Sequence, residues 1–567
     1  MVNVKNLFGM AVMATALVGC ASNDEPVNPN PEQNGVAYAA FKINLPQVSG
    51  TRADAGVGSY EDGTASEYNV QNATFLVFKQ VGTDEANYTF VESAKLNMEG
   101  TWNSETTEGL TVSKKLVTKL NSISKGGKYS VLVVLNTPSD FVAPSVGQTY
   151  GDWNNKVLTP SDVTVWATAN NFYMANATLA NGSATTTLTN IADNNIYNTK
   201  EAAEAGTSSA EVFVERGVAK VTVSQPTANM EVKKDGTANG DHVNFNNWAL
   251  DVTNKKTYAV HNVTGLTVSW ADIWTSERMT GAQSRVFWGI DPNYSDNTLK
   301  DVTDNNAKLN ENFNYVGNDG VTNAFGETPA YCFENTFNLE NMYQGQTTRV
   351  VFKATYTPST GHADDATGTF YHLGTASTNL TSVELLKAIE DAAKAELGTS
   401  FKSVVLGDIQ AKGGVHFVEC ANIKVDNSGS EETLDASATY GSKTGAQIVE
   451  AINTRLGLKT ADRDEDKVGI STYLNGVTYY IARIRHFNNT YCPWTSGQGY
   501  NTNEGFLGRY GMLRNNWYSL DINSVSGPGY PGVPPVDPDQ PDDENENYLS
   551  VSVKILDWAK RTQSVDL

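Results

Sequence analysis

The chain has 567 residues, with 63 acidic and 41 basic side chains and a formal net charge of -22. That length supports two or more domains, and the charge has the wrong sign for gripping a nucleic-acid backbone, so no nucleic-acid partner is expected. Four cysteines, Cys20, Cys332, Cys420 and Cys492, are too few for a disulfide-stapled scaffold and lack the CxxC spacing of a metal site.

Residues 1–20 read as a processing segment, not as part of the fold. Lys5 supplies a positive start, and residues 7–18 form an apolar run too short to span a bilayer. Leu17-Val18-Gly19-Cys20 resembles the bacterial lipobox, which implies lipidation at Cys20; the alternative is a plain secretory signal with an incidental cysteine. Ser22-Asn23-Asp24-Glu25 resembles the acidic patch that directs lipoproteins to the cell surface in the Bacteroides phylum. Residues 26–35 are a Pro/Asn tether without apolar periodicity.

Residues 37–45 alternate cleanly. Ala37, Ala39, Phe41, Ile43 and Leu45 share one face, with Tyr38, Ala40, Lys42 and Asn44 between them, the signature of a strand with a buried side. Pro46 stops the ladder. Gly50-Thr51-Arg52-Ala53 follows, small and polar, with a basic residue that an arginine-specific protease could cut after. The expectation is a temporary strand: residues 21–52 form a propeptide, the cut falls between Arg52 and Ala53, and another chain's strand enters the vacated groove.

Short β-rich runs then recur between turn residues, with abundant Thr, Asn, Gly and Tyr, as in an extracellular all-β protein. In a first domain, residues 53–225, strands are expected at 73–80 and 129–136, the latter apolar on both faces. Phe172-Tyr173-Met174-Ala175-Asn176 is a compact aromatic corner, and residues 212–223 read as one long strand with a bulge at Gly217. The boundary is placed near Gln225-Pro226. In a second domain, residues 226–527, residues 247–260 read as a hairpin turning at Asn254-Lys255-Lys256, with further strands at 347–356 and 476–485. A helix is expected over 381–397, stopped by Gly398, with Val383, Leu386, Ile389 and Ala393 on its apolar face. A shorter helix is expected over 445–456. Both read as covers or insertions on a sandwich, and no fixed-period repeat suggests a solenoid.

Residues 528–547 read as an extended, solvated Pro/acidic linker. In the tail, residues 548–567, Leu549, Val551, Val553 and Ile555 alternate with Ser550, Ser552 and Lys554, the same period as residues 37–45. A lone strand is not stable in water, so it pairs either with its own domain as an edge strand or with another molecule; the linker before it favours the second. Four or five buried aliphatic side chains at about 1.5–3 kcal/mol each sum to a gross term on the order of 10 kcal/mol. A resident strand would resist displacement with similar strength, and its proteolytic removal would make the exchange one-way.

No catalytic constellation is visible, so no enzyme and no cofactor are expected. His362 lies near Asp364 and Asp365, in a stretch that reads more simply as a polar turn. Asp462, Asp464 and Asp466 alternate like the start of a calcium loop, but Lys467 stands where Gly is needed and Tyr473 where Glu is needed. No GxSxG, HExxH or phosphate loop occurs.

Several stretches, in order, resemble the Bacteroidales fimbrillin family. They are Phe172-Tyr173-Met174-Ala175-Asn176, Val214-Glu215-Arg216 with Ala219-Lys220-Val221, Asn247-Trp248-Ala249-Leu250 with Thr253-Asn254-Lys255, and Tyr331-Cys332-Phe333-Glu334-Asn335-Thr336. To these are added Thr347-Thr348-Arg349-Val350-Val351, Arg514-Asn515-Asn516-Trp517-Tyr518, and the tail from Leu549 through Trp558 to Leu567. The resemblance implies a mainly β fold of two tandem β-sandwich domains (transthyretin-like Greek keys) with short helical insertions. It implies a precursor anchored in the outer membrane by lipid and an arginine-specific protease of the gingipain type. It also implies self-assembly into a surface fimbrium with accessory tip and anchor subunits, the tail of one subunit being donated to the next. Family members serve adhesion, biofilm formation and co-aggregation through host or bacterial surface receptors. Residues 360–380 and 400–445 depart from the family pattern, so a ligand-facing surface does not carry over. The alternatives are a monomeric surface lipoprotein that binds glycans, and a tip or anchor protein of the same system.

Overall fold

The computed structural model describes residues 37–45, 64–98, 113–181, 184–264, 284–286, 288–294, 307–326, 328–336, 338–364, 366–487, 489, 492–544 and 549–557. The fold is mainly β. Two sandwiches follow one another along the chain, and a compact α+β unit is inserted in the second.

Alternation and apolar runs produce the first sandwich. In one layer the leading strand, Ala37–Asn44, lies between Ser113–Leu120 and Ala210–Arg216. The other layer runs from Ala210–Arg216 through Met174–Asn176, Tyr129–Leu135 and Asn72–Lys79 to Thr89–Asn97. Every residue of Tyr129–Leu135 is buried, as its apolar run on both faces requires. Asn176 fastens the aromatic corner to this strand: its amide donates to the Val131 carbonyl at 3.0 Å and its carbonyl accepts from the Val133 N–H at 2.8 Å.

The expected single strand over 212–223 is two strands in two sheets. Ala210–Arg216 closes the first sandwich, and Ala219–Val223 opens the second. Gly217 is a crossing, not a bulge. A Cβ there would sit 2.7 Å from the Tyr173 ring and 3.1 Å from that of Trp166, so only glycine lets the backbone pass against those aromatics. The change of sandwich therefore comes before Gln225-Pro226.

In the second sandwich the order is Ala330–Cys332, Ala219–Val223, Asn516–Val525, Met230–Lys234, Thr237–Asp251, Arg349–Thr357 and Val477–Arg483. The hairpin expected over 247–260 does not form. Residues 247–251 belong to the 15-residue strand Thr237–Asp251, paired with Arg349–Thr357 as far as Asp251 opposite Arg349. Val252, at a φ of 55°, then diverts the chain, and Asn254 is tied down by the Asp291 carboxylate and the Glu334 carbonyl. The two sandwiches share one arrangement. In each, the first strand runs parallel to the last and antiparallel to a third: Ala37–Asn44 with Ala210–Arg216 and Ser113–Leu120, and Ala219–Val223 with Asn516–Val525 and Ala330–Cys332.

The two helices appear as Ser382–Leu397 and Gly445–Arg455, and they do more than cover a sheet. With short strands such as Ile423–Asn427 and Ile470–Tyr473 they build a separate apolar core. The first starts at a capping box: the Thr381 hydroxyl accepts from the Glu384 N–H, and the Glu384 carboxylate accepts from the Thr381 N–H at 2.8 Å. Its buried face is Leu385, Ile389, Ala392, Ala393 and Leu397, at i, i+4, i+7, i+8 and i+12. Val383, assigned to that face from sequence, is 72% exposed, because two residues before Leu385 is just over half a turn around the helix.

Candidate strand-exchange groove

The leading strand is bonded on both sides. It pairs antiparallel with Ser113–Leu120 over its whole length, from Ala37 opposite Leu120 to Asn44 opposite Ser113. On its other edge it pairs antiparallel with Ile196–Tyr197 and then parallel with Ala210–Arg216, Phe41 facing Ala210 and Asn44 facing Phe213. The five alternating residues Ala37, Ala39, Phe41, Ile43 and Leu45 all lie in the first core. The second face is covered more than alternation suggests: Ala40 and Asn44 are also buried, leaving Tyr38 and Lys42 partly open. Ser209 stitches the strand in place, its hydroxyl accepting from the Ala40 N–H at 2.9 Å and its N–H donating to the Ala40 carbonyl. Lys42 pairs with Glu211 at 2.8 Å, and the Asn44 amide donates to the same carboxylate oxygen at 2.9 Å. The strand thus occupies a trough between two sheet edges. Its loss would open about five apolar sites and two rows of backbone hydrogen-bonding groups.

The closing strand, Leu549–Asp557, runs antiparallel to Asn516–Val525, from Leu549 opposite Val525 to Asp557 opposite Asn516, with an irregularity at Asn523. It is an added strand beside the last strand of the second sandwich, and it also lies against Val477–Arg483. The side chains of Leu549, Val551, Val553 and Ile555 lie outside the described residues, as do Cys20, Arg52 and Ala53 altogether.

The segment before the closing strand is not a solvated linker; residues 526–544 form a belt on the second sandwich. Tyr480 and Tyr473 donate to the Gly527 and Gly529 carbonyls at 2.8 and 2.9 Å. Tyr530 exchanges backbone bonds with Tyr479, and Arg349 donates to the Pro534 carbonyl at 2.6 Å. The acidic residues expected to keep this segment in water meet arginines instead. Arg463 binds Asp537 and Asp539 at 3.1 and 2.7 Å. Asp542 is fully buried and takes the Thr347 hydroxyl. Asp543 receives Arg509 through two bonds, 2.6 and 3.0 Å, together with the hydroxyls of Tyr500 and Tyr510. Those partners are far away in sequence, which is why composition alone misjudged the segment. Cavities of about 420 and 530 Å³ lie along the belt and share Arg349, Glu465 and Pro534 among their walls.

A buried polar joint locks the sandwiches together. Glu67 sits in the short helix Ala65–Tyr68 and pairs with Lys220 at 2.7 Å; both side chains are almost fully buried. Tyr331 donates to Glu67 at 2.7 Å, and the Arg216 Nε donates to the Glu67 carbonyl at 3.0 Å. The Lys220 ammonium also lies 3.7 Å over the Trp517 ring. Burial pushes the Glu67 carboxyl up, but Lys220 and Tyr331 outweigh it and hold it below its ordinary value. Sequence reasoning missed this joint, the Asp543–Arg509 clamp and the Lys42–Glu211 pair, since each links residues distant in the chain. The one visible signal was Lys42, the lone charge in an apolar run.

The weaker chemical candidates are used structurally. Asp364 accepts from the Ser382 N–H and hydroxyl at 2.8 and 2.9 Å, bracing the start of the first long helix, while Asp365 lies outside the described residues. Asp464 and Asp466 belong to a single helical turn, where Asp464 pairs with Lys467 and Asp466 lies 3.8 Å from Arg463. Among the described residues no group of three or more His, Cys, Asp or Glu is arranged to hold a metal ion. Cys332 and Cys420 are free thiols, and burial pushes that of Cys332 up to about 12.

Residues 471–564 match the profile of the C-terminal region of fimbrillin, the major fimbrial subunit protein type IV. No curated protein matches the chain in sequence. Among solved structures, a candidate cell adhesion protein of Parabacteroides distasonis is 11% identical and covers 93% of this chain and 99% of its own, with a TM-score of 0.38. A second such protein of that organism is 11% identical over 92% of this chain and 100% of its own, at 0.34. A candidate polysaccharide-binding protein of Bacteroides thetaiotaomicron is 8% identical over 39% of this chain and 60% of its own, at 0.16. These overlaps are too loose to carry an argument. The profile match is more telling, because it spans Val477–Arg483, Asn516–Val525, the belt and the closing strand.

Proposed function

We propose that this chain is a structural, non-catalytic subunit of a cell-surface fimbrium. It is made as a precursor lipidated at Cys20 and anchored in the outer membrane, and it is cut between Arg52 and Ala53 by an arginine-specific protease. The leading strand then departs, and the closing strand of another copy, through Leu549, Val551, Val553 and Ile555, fills its place. In this reading the chain forms the shaft, in the manner of the shaft subunit of the Porphyromonas minor fimbrium, capped and rooted by tip and anchor subunits. The polymer supports adhesion and biofilm formation through host or bacterial receptors.

One observation carries the reading. A strand buried to its last apolar side chain, and bonded on both edges, is followed within a few residues by Gly50-Thr51-Arg52-Ala53. A permanent strand of that kind has no need of a cleavable tail; a removable one does. The fimbrillin match over the closing strand supports the same reading. The test is the N-terminal sequence of protein taken from surface fibres. Ala53 is expected as the first residue, and native filaments whose subunits retain residues 36–52 in place would overturn the proposal.

The runner-up is a monomeric surface lipoprotein that binds glycans. It is favoured by the in-chain pairing of Leu549–Asp557 with Asn516–Val525, which already satisfies the closing strand. An intact lipidated chain running as a monomer on an unboiled gel would select it; a ladder selects the shaft.

A further inference from the structure

We infer that the exchanged strand enters in the same direction as the strand it replaces, in a register set by Lys554 of one copy meeting Glu211 of the next. This rests on the strand-exchange reading above and specifies its recognition chemistry. The two strands carry the same short text. Phe41-Lys42-Ile43 and Val553-Lys554-Ile555 each place the single lysine of an alternating run between two apolar residues. Aligned on that lysine in the same direction, Leu549 falls at Ala37, Val551 at Ala39, Val553 at Phe41 and Ile555 at Ile43. Every aliphatic then lands on a core site that is at most 7% exposed. Lys554 lands where Lys42 now holds Glu211 at 2.8 Å, at a position half open to water where an ammonium keeps its hydration.

The competing alignments fail on named residues. A one-residue slip turns the aliphatics outward. A two-residue shift toward the start of the groove puts Asp557 at the fully buried Ile43 site. The opposite shift puts Lys554 at Asn44, which is only 4% exposed, and leaves Ser552 facing Glu211. Reversing the strand about the lysine places Asp557 at Ala39, which has no exposure at all. In the inferred register Asp557 falls at Leu45, a site 1% exposed but one residue past the last ladder pair of Asn44 with Ser113, so the incoming chain has to turn out of the core there, which no ladder bond opposes. Glu546 then precedes the groove at the end where Tyr38 is opposite Lys119, a complementary charge for the incoming tether.

The pair is tested with full-length chains trimmed after Arg52 and allowed to polymerise at low salt: wild type, Lys554→Glu, Glu211→Lys, and both changes together. The expected result is a several-fold slower ladder for each single variant, a recovery toward the wild-type rate for the double variant, and weakening of all differences in high salt. Thermal melting of each uncut precursor accounts for any effect of losing the in-chain Lys42–Glu211 contact. Single variants that polymerise like wild type, or a double variant no better than either single, overturn the register while leaving strand exchange standing. A trimmed wild-type chain that forms no ladder overturns strand exchange itself, and the register with it.

Discussion

The Phe41 ring stacks on that of Phe75, with centroids 4.8 Å apart and planes 25° apart. Phe75 belongs to Asn72–Lys79, which lies in the opposite layer between Tyr129–Leu135 and Thr89–Asn97. The segment proposed to be discarded therefore packs across the first core, and its removal is felt on both sides of the sandwich. Phe41→Ala is expected to destabilise the uncut precursor by about 3–5 kcal/mol, lowering its melting temperature by several degrees. Filaments built from trimmed chains would melt like wild type, since residue 41 is no longer present. Scanning calorimetry of both forms checks this, and an equal loss in filaments would place Phe41 permanently in the fold.

Arg52→Ala removes the only basic residue between Lys42 and Lys79. The expected outcome is a chain that folds normally, melts like the wild-type precursor and stays monomeric in the presence of an arginine-specific protease. An unboiled gel together with the intact mass reads both parts. Ladders from this variant would mean that removing the leading strand is not what licenses assembly.

Deleting residues 548–567 takes away a strand whose ladder is with Asn516–Val525 and which also lies against Val477–Arg483. Val221, Leu520 and Phe352 of that sandwich's buried core sit on other strands. The truncated chain is expected to be a folded monomer that accepts a strand from an intact subunit but donates none, so that it terminates growing fibres. Normal fibres from the truncated chain alone would remove the donor role from the tail.

Much of this arrangement can be read in the residues before any coordinates. Period-two runs mark the leading and closing strands, and Thr381 with Glu384 marks the start of a helix. What the sequence hides are partnerships across long separations. The acidic tail reads as solvated until Arg463 and Arg509 are brought against it, and Lys220 and Glu67 become a pair only where two sandwiches meet. Gly217 misleads in a different way: a bulge and a crossing between sheets both call for glycine, and only the nearness of Tyr173 and Trp166 separates them.

The belt limits how far the closing strand reaches. Its last described residue is Glu544, whose carboxylate accepts from Ser496 and Gly497. Beyond it only residues 545–548 precede the strand, a span of about 14 Å at full extension. Donation over a longer distance requires the belt to peel away, and Asp543, held by Arg509, Tyr500 and Tyr510, is one of its anchors. Arg509→Ala leaves a buried carboxylate without its cation, a loss of about 3–5 kcal/mol. Hydrogen exchange over residues 526–544 is expected to quicken while exchange in Asn72–Lys79 stays slow. If peeling is needed for assembly, the same variant polymerises faster after trimming; slower polymerisation would show that the belt must stay in place to aim the strand.

The joint at Glu67 makes the contact between sandwiches sensitive to acid. Its carboxyl is held below the ordinary value of 4.5 in the fold, so as pH falls the unfolded chain binds this proton before the folded one does. The stability that Glu67 contributes is therefore fully present above that ordinary value and is lost as pH falls through the lowered one. Glu67→Gln keeps the shape but takes away the carboxylate 2.7 Å from the buried Lys220 ammonium, and is expected to cost about 3–5 kcal/mol at neutral pH. It should also flatten the acid limb of the stability curve, since the group that titrates there is gone. Denaturant melts of the uncut precursor from pH 7 down to pH 3 check both effects. A variant that loses stability at neutral pH yet keeps the wild-type slope in acid would assign the titration to another carboxylate. A variant that loses nothing would show that Trp517 and the Tyr331 hydroxyl suffice to hold Lys220.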